Sequence, residues 1–574
     1  MKTWTQILIL FVVLIIVSLV WTYPLARYFN KGIPVGHQES RSFEPVALNP
    51  VDSLETYYHL WSFKQALLKG QSPFHDNYQF SVGNTQAIIW PWGWLASFLF
   101  LFFSVFGNIP AYNLLIILAI PAAGVSTYLL AFHYTKRVFA SIAAALTFAL
   151  APYILSKLLV GHRYSFLVFL LPLALYFLEK TFSERSLRHS VLAGITVLLV
   201  SLSDPNLAFY FTMFLLIFLP YRLLQRLRTP EGVTFYLKLL IPVFGFFLLA
   251  VGYSYAVKVV ALDTSFSAAG RPWEAVVEFS PRPVNLLFKN WFGYLSWEKN
   301  IYLSLPVLII VALGMVAGLA RRLIGQSGVD VEFKSDEAFF GAVLVISAIL
   351  ALGASIDRYL PVYRFFYSYV PFFNYTRTPG RIVVFAHLSL ALLVGFAIVR
   401  LQGAVNVFPR ATLLRTSLSA ILGILVIFVI VRDYYPPPAK ISLLPGRSRV
   451  YEEIKRKAGD GKVLQIPISW HYSVTVYEYY ATISETKMIN GYSPLTPSNY
   501  LPVMYRLSSV NYGNLNDDVY RELRRLKVKY IVVYPRFFDP LYSASFDLFI
   551  RRFEGSGRVD FITSENGMLL FELK

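Results

Sequence analysis

The side chains in this sequence that could do chemistry are carboxylates, imidazoles and guanidiniums placed near the ends of apolar runs. Cysteine is absent, which removes thiolate catalysis, disulfides and Cys-ligated metal. Arg377 and Arg381 bracket Thr378-Pro379-Gly380. That spacing sets both guanidiniums near one side of a helix start, and such a pair suits phosphate oxygens bidentately; the plainer role is interfacial anchoring of the helix. His162-Arg163 occupies a short loop, where phosphate contact competes with snorkelling to the interface. Asp52 stands before a segment of helical periodicity, with Glu55 three residues on, so an N-cap with a capping-box partner is expected. His59 lies two turns beyond Asp52, near the same face, and reads first as an interfacial histidine. Asp76, in Pro73-Phe74-His75-Asp76-Asn77, reads as a turn former, with carbohydrate contact as the functional option. Asp204-Pro205 gives a helix start with Asp204 as N-cap and Pro at the first position, although a carboxylate at a membrane edge is always a functional candidate. Arg271 and Arg282 share a charged loop with Glu274 and Glu278; either arginine could meet a phosphate. No Asp-x-Asp occurs in these loops, so a site for Mg or Mn would need Asp52 and a distant carboxylate.

The elements that must position these groups follow from composition. Of 574 residues, 56% are hydrophobic, 17% aromatic and 15% charged, and the mean hydropathy is +0.53. A soluble chain carries nearer a quarter charged residues. Soluble enzymes, disordered scaffolds and fibrous proteins are therefore excluded, and a polytopic α-helical membrane protein is expected. The 52 Lys+Arg against 33 Asp+Glu leave a net charge of +19. Basic loops anchoring helices on the cytoplasmic side account for that surplus, as does neutralisation of an anionic lipid or phosphate. No nucleic-acid module is present.

A span takes about 20 apolar residues. Candidate segments are 7–24, 88–106, 111–131, 139–158, 164–180, 190–203, 206–222, 236–257, 303–320, 338–354, 381–400 and 413–431. Short basic connections follow at Lys136-Arg137, Lys180 to Arg188, Arg222 to Arg228, Arg321-Arg322 and Arg400 to Arg415. If all are cytoplasmic, one early segment fails to cross. Segment 88–106, which carries Trp90-Pro91-Trp92-Gly93-Trp94, is the one expected to lie along the membrane. About eleven crossings result, with a twelve-crossing arrangement as the rival.

Two stretches fall outside this pattern. The first outer loop, 25–87, contains Leu54 to Lys69, whose apolar residues recur at helical spacing, as in an amphipathic helix lying on the interface. Residues 433–574, opened by Pro436-Pro437-Pro438, read as a soluble α/β domain after a membrane module of 1–432. Helices are expected over 450–457 and 517–526, and strands over 463–466, 529–533 and 568–572. Asn566-Gly567 is a hairpin signal before the last strand.

Several local sequences occur in a telling order: Asp52 with Tyr57-Tyr58-His59-Leu60-Trp61, then Ala111-Tyr112-Asn113-Leu114-Leu115, Ala151-Pro152-Tyr153, Val160-Gly161-His162 with Leu171-Pro172-Leu173-Ala174, and Arg377-Thr378-Pro379-Gly380-Arg381. Over about the first 430 residues this order resembles the GT-C superfamily of integral membrane glycosyltransferases, which use polyprenyl-phosphate-linked sugars. Many members have Gly-Asp where Val51-Asp52 stands, and an acidic residue where His162-Arg163 stands. The resemblance implies a multi-pass protein of the cell membrane with its site and C-terminal domain extracytoplasmic. It implies an inverting transferase with Asp52 as general base, and Arg377, Arg381, His162 and Arg163 around the donor phosphate. Its partners would be a polyprenyl-phosphate-linked sugar, membrane lipid, and a glycan, lipid or protein acceptor; some branches use a divalent cation. The competing functions are a flippase or transporter of lipid-linked glycans and a non-catalytic receptor or assembly factor on the same scaffold.

Overall fold

In hydrocarbon no water can satisfy backbone N–H and C=O groups, so long apolar runs close their hydrogen bonds internally as helices. The computed structural model describes residues 3–39, 43–83, 92–227, 232–265, 267–323, 334–405, 412–469, 473–539 and 543–574. Every one of the twelve apolar segments contains a helix. In order these begin with α1 (Thr3–Trp21), then, after strand β1 (Gly32–His37) and α2 (Asp52–Leu68), continue with α3 (Trp94–Phe103), α4 (Asn108–Thr135), α5 (Val138–Ala149), α6 (Pro152–Leu159), α7 (Arg163–Phe166) and α8 (Leu170–Glu184). The series runs on through α9 (Leu187–Ser201), α10 (Pro205–Gln225), α11 (Gly232–Leu239), α12 (Ile241–Val257), α13 (Trp273–Phe279), α14 (Ser296–Lys299), α15 (Leu305–Leu323), α16 (Lys334–Ala351), α17 (Val362–Tyr369), α18 (Val383–Val405) and α19 (Thr412–Tyr434).

The protein is a polytopic α-helical membrane protein with a small C-terminal α/β unit. Among the described residues five helices are long and apolar enough to cross a membrane, and α5 with α6 makes a sixth if taken as one bent span. That pair bends by 46° where Pro152 removes an N–H and pushes Ala151 into an extended conformation (ψ 129°). Helix α3 has 10 residues, about 15 Å of rise, or half a hydrocarbon core. Trp90 and Pro91 of the aromatic cluster lie outside the described residues, as do Arg228 and Arg410 of the basic connections.

The chain leaving α19 does not separate from the membrane module at the prolines. Strand β2 (Ala439–Leu443) pairs antiparallel with β1, Ile33 opposite Ser442. Gln38 N–H donates to Pro438 O at 2.8 Å and Ala439 N–H to Tyr23 O at 2.8 Å, so Pro436–Pro438 is held against the chain that follows α1. The α/β unit follows: α20 (Arg449–Lys457), β3 (Lys462–Ile466), α21 (Ser473–Ser484), α22 (Tyr500–Leu507), α23 (Asp517–Arg525), β4 (Val528–Val533), α24 (Phe546–Gly555), β5 (Val559–Glu565) and β6 (Met568–Leu573). Its sheet has the order β3-β4-β6-β5. Strands β3 and β4 are parallel, and β5 and β6 form the expected hairpin. Asn566 (φ 48°) and Gly567 (φ 77°) are both left-handed, the conformation a tight hairpin turn demands. Leu464, Ile466, Ile531, Val533, Phe549, Phe553 and Phe571 form a core separate from that of the helical bundle.

Helix α2 departs from its expected role. It does not float on the interface with a wet face: Leu54, Tyr57, Tyr58, Leu60, Trp61, Phe63 and Ala66 are buried together with Ser53, Thr56, His59 and Ser62. The physical reason is α21, which packs on it from the C-terminal unit, while α3 packs on it from the helical bundle and the Tyr57 ring meets that of Tyr112 in α4. The first loop is tied to the bundle by Asn113 of α4. Its buried amide donates to Phe29 O and Gly32 O, both at 2.8 Å. Removing the amide strands two carbonyls, a cost of about 1–3 kcal/mol per unsatisfied group. Asn113→Ala is expected to lower the unfolding midpoint in detergent, whereas Asn108→Ala, which removes only the acceptor of a part-buried Lys64 contact, leaves it nearly unchanged; equal midpoints for the two variants would refute the tie.

Candidate functional site

Asp52 is the first residue of α2, and its side chain caps nothing: the N-cap is Val51, without a side-chain cap bond. The expected capping box with Glu55 is therefore not formed, because Val51 N–H turns away to Thr475 Oγ1 of the C-terminal unit at 3.2 Å. The Asp52 carboxylate instead faces His162, Oδ2 to Nε2 3.3 Å, with side chains 18% and 16% exposed. Glycine makes this approach possible. Gly161 sits at φ +78°, and a Cβ there would collide with Tyr112 Oη and lie 2.8 Å from Ser53 Cα. Burial first, and the Lys157 charge second, hold the His162 imidazole below its ordinary range against the pull of Asp52. At neutral pH His162 is thus an uncharged partner of the carboxylate.

Behind this pair lies an ionic chain that sequence spacing did not reveal. Lys157 of α6 contacts Glu298 of α14. Glu298 Oε1 also accepts from Arg381 Nη2 at 3.0 Å, and Arg381 Nη1 lies 3.8 Å from Asp204 Oδ2. Burial opposes the Glu298 charge, but Arg381 and then Lys157 outweigh it and hold the carboxyl below the usual range. Arg381 further sits over the Tyr164 ring, 5.6 Å from its centroid. Asp204 fills its expected N-cap role, accepting from Asn206 N–H (2.9 Å) and Leu207 N–H (3.0 Å).

The expected clamp of Arg377 with Arg381 is therefore not assembled. Residues 379–382 form a 3-10 turn, and the two side chains part. Arg381 is consumed by carboxylates, whereas Arg377 lies over the Phe279 ring, 4.7 Å from its centroid, with no carboxylate bonded to it among the described residues. Its neighbour is Arg271, whose guanidinium is pushed down to about 10 by burial and then by the Arg377 charge. Two like charges meeting without a counter-ion is the arrangement an anion would relieve. Arg282 is exposed; its backbone N–H donates to Asn285 Oδ1 at 2.8 Å and its carbonyl accepts from Asn285 N–H at 2.9 Å.

A carboxyl-rich layer flanks the other side of α2. Glu55 is pushed up to about 8 by burial and then by Asp52, against Arg163, His162 and Arg377. His59 is buried, 3.5 Å from Glu55, and burial followed by Arg163 lowers it to about 3. Arg163 lies within reach of the charges of Glu55, Asp204 and Glu478. Glu478 of α21 is fully buried, and neither of its oxygens receives a well-formed hydrogen bond. The Tyr492 N–H approaches it but is donated to Gln79 Oε1 at 3.0 Å. Burial first, then Glu55 and Asp76, raise the Glu478 carboxyl well above the usual range. Asp76 is a turn acceptor as expected, taking Tyr58 Oη (2.7 Å), Tyr78 N–H (2.8 Å) and Gln79 Nε2 (2.9 Å). Among the described residues no three His, Asp or Glu side chains converge as a metal ligand set; Asp52 and His162 make two. A recess of about 150 Å³ lies beside the Val160 turn, lined in part by His37, Trp291, Trp297 and Lys440.

No protein-family model matches the chain, and no curated protein matches it. Solved structures do. The arabinofuranosyltransferase AftD from Mycobacteria is similar over 99% of this chain at 17% identity, with a TM-score of 0.54. The apo oligosaccharyltransferase of Archaeoglobus fulgidus is similar over 92% of this chain at 12% identity, with a TM-score of 0.50. This chain spans 40% of the length of the first and 70% of the second. The fold is that of the GT-C membrane glycosyltransferases.

Two outcomes follow from the geometry. Gly161→Ala is expected to displace the His162 turn from α2 and to reduce turnover at least tenfold with little change in expression; full turnover would show that the approach is dispensable. Glu55 has a second, pH-dependent signature. Its carboxyl is raised in the fold from an ordinary 4.5 to about 8, so the folded protein keeps a proton that the unfolded chain releases. The stability it contributes is full below about pH 4.5 and is lost as pH rises to about 8, by at most ~1.4 kcal/mol per pH unit. Glu55→Gln should flatten the fall in unfolding midpoint between pH 5 and 8; a uniform shift at all pH values would contradict the assignment.

Proposed function

We propose that the protein transfers a sugar from a polyprenyl-phosphate-linked donor to an acceptor hydroxyl at the outer face of the membrane. The observation that carries this reading is the Asp52 carboxylate, freed from helix capping, partly exposed and facing an uncharged His162 at 3.3 Å. Asp52 takes the proton of the acceptor hydroxyl as its oxygen attacks the anomeric carbon. The bond from that carbon to the phosphate oxygen breaks, and polyprenyl phosphate leaves with the electron pair. A single displacement inverts the anomeric centre. Arg377 and Arg271 are the cations free to receive the developing phosphate charge, in place of the Arg377 and Arg381 pair that spacing suggested. His162, with Nε2 3.3 Å from Asp52 Oδ2, orients the carboxylate, and Arg163 balances the carboxyl layer behind. The aromatic recess beside Val160 has the size and faces to hold a sugar ring.

The test is donor turnover by reconstituted protein across a panel of polyprenyl-phosphate sugars, with released lipid phosphate read by mass spectrometry. Asp52→Asn should lose about 10²–10⁴-fold in rate, the range of a positioned general base, while retaining donor binding. Arg377→Ala should weaken donor use, and Arg381→Ala should instead lower stability by stranding Glu298. Release from no donor by folded wild type, or full release by Asp52→Asn, would overturn the reading.

A further inference from the structure

Far from Asp52, at the other end of α2, the described residues form a cleft of about 630 Å³. Its walls come from the end of α2, the α20–β3 turn, the end of α21 and the α23–β4 turn. Lys69, Lys455, Lys462, Lys487, Arg525 and Lys527 line it, against two acids, Asp460 and Glu485. Glu485 is already shared by Lys69 and Lys455, at 2.7 Å each. Arg525 is satisfied by Glu522 at 2.7 Å. Lys487 and Lys527 are exposed, with no carboxylate partner among the described residues. Lys462 reaches inward and donates to Ser81 O at 2.7 Å. Burial lowers its pKa, and the charges of Lys487, Lys527 and Arg525 lower it further.

Gathering like charges in a concavity costs free energy unless an anion relieves it. Among the described residues the apolar lining is Val82, Ala458 and Leu526, which gives a lipid surface little to insert into and nucleobases no aromatic platform. We propose that this cleft binds an anionic saccharide, a carboxylate- or phosphate-bearing stretch of the acceptor. Helix α2 has 17 residues, about 25 Å of rise, so the cleft and Asp52 sit at opposite ends of one rigid rod. Binding in the cleft would set how far along the acceptor the reacting hydroxyl falls. That acceptor role rests on the glycosyl-transfer reading; the binding itself does not.

The test uses full-length protein in nanodiscs of neutral lipid and fluorescent hexagalacturonate as probe, with neutral maltohexaose as control. Hexagalacturonate is expected to bind, more weakly as salt rises, and maltohexaose is not. Lys487→Glu with Lys527→Glu should weaken hexagalacturonate binding at least tenfold. Arg551→Glu with Arg552→Glu changes the net charge equally on α24, outside the cleft, and should weaken it less than twofold. Equal losses from the two pairs, or no binding of hexagalacturonate, would overturn the proposal. So would a cleft pair that impairs binding to vesicles containing phosphatidylglycerol while leaving hexagalacturonate binding intact, which would identify a lipid site. Asp52→Asn should bind the probe as wild type does. Binding without Asp52-dependent turnover would therefore sink the transferase reading and leave the cleft standing.

Discussion

The structure depends on the burial of α2 over residues 53–63. A helix in the first outer loop of a membrane protein would ordinarily keep one face in water. This one is held by α3 on one side and by α21 on the other, and it buries polar Ser53, Thr56, His59 and Ser62 with its apolar residues. Its first turn can then present Asp52 to a fixed partner, because the helix has no freedom to roll. Gly161 sets the distance of that partner, and Asn113 ties the incoming loop to α4. Each fixes backbone and not merely a side chain, which is what holding two groups in reacting geometry requires.

The ionic groups around α2 divide by whether they are neutralised. Lys157, Glu298, Arg381 and Asp204 form a closed chain in which each charge has an opposite neighbour. Such a chain repays its desolvation only when complete, so its members are poorly placed to exchange partners for a substrate. Arg377 and Arg271 repel each other instead, and Asp52 faces an imidazole without charge. Unspent electrostatic potential is what a site needs to recognise an ionic ligand. Arg377 and Arg381, four residues apart, thus belong to different categories.

Much of the frame was legible in the sequence because lipid leaves the backbone little choice. The apolar runs had to be helices, Asp204-Pro205 had to start one, and Asn566-Gly567 had to turn a hairpin; all three are local consequences of a few adjacent residues. The candidate site was legible only in part. His162 and Asp52 are 110 positions apart in the chain, and their order suggested a common loop region without their contact. Asp52 fitted a capping box by spacing, and nothing local shows that Thr475, more than 400 residues on, draws Val51 away. Glu298 was missed for the same reason: a glutamate in a charged loop looks solvated until Lys157 and Arg381 enclose it. The one available signal was its place beside Trp297 in an otherwise aromatic stretch. Helix α21 escaped notice because its Tyr-rich sequence has no amphipathic period, as expected of an element buried on most sides.

Glu478 joins the C-terminal unit to the chemistry of the site. It is buried only because α21 docks on α2, and it meets Glu55 there with neither oxygen well hydrogen-bonded. Two carboxyls in one dry layer cannot both ionise without large cost. The docked arrangement therefore holds protons that an undocked α21 would release, and by linkage each proton taken up favours docking. Arg163 is within reach of both carboxyls, and it is also within reach of Asp204 in the ionic chain behind Asp52. Movement of α21 would shift the balance around Arg163, and with it the field at Asp52. The C-terminal unit is thereby part of the electrostatics of the site and not an appendage to the membrane module.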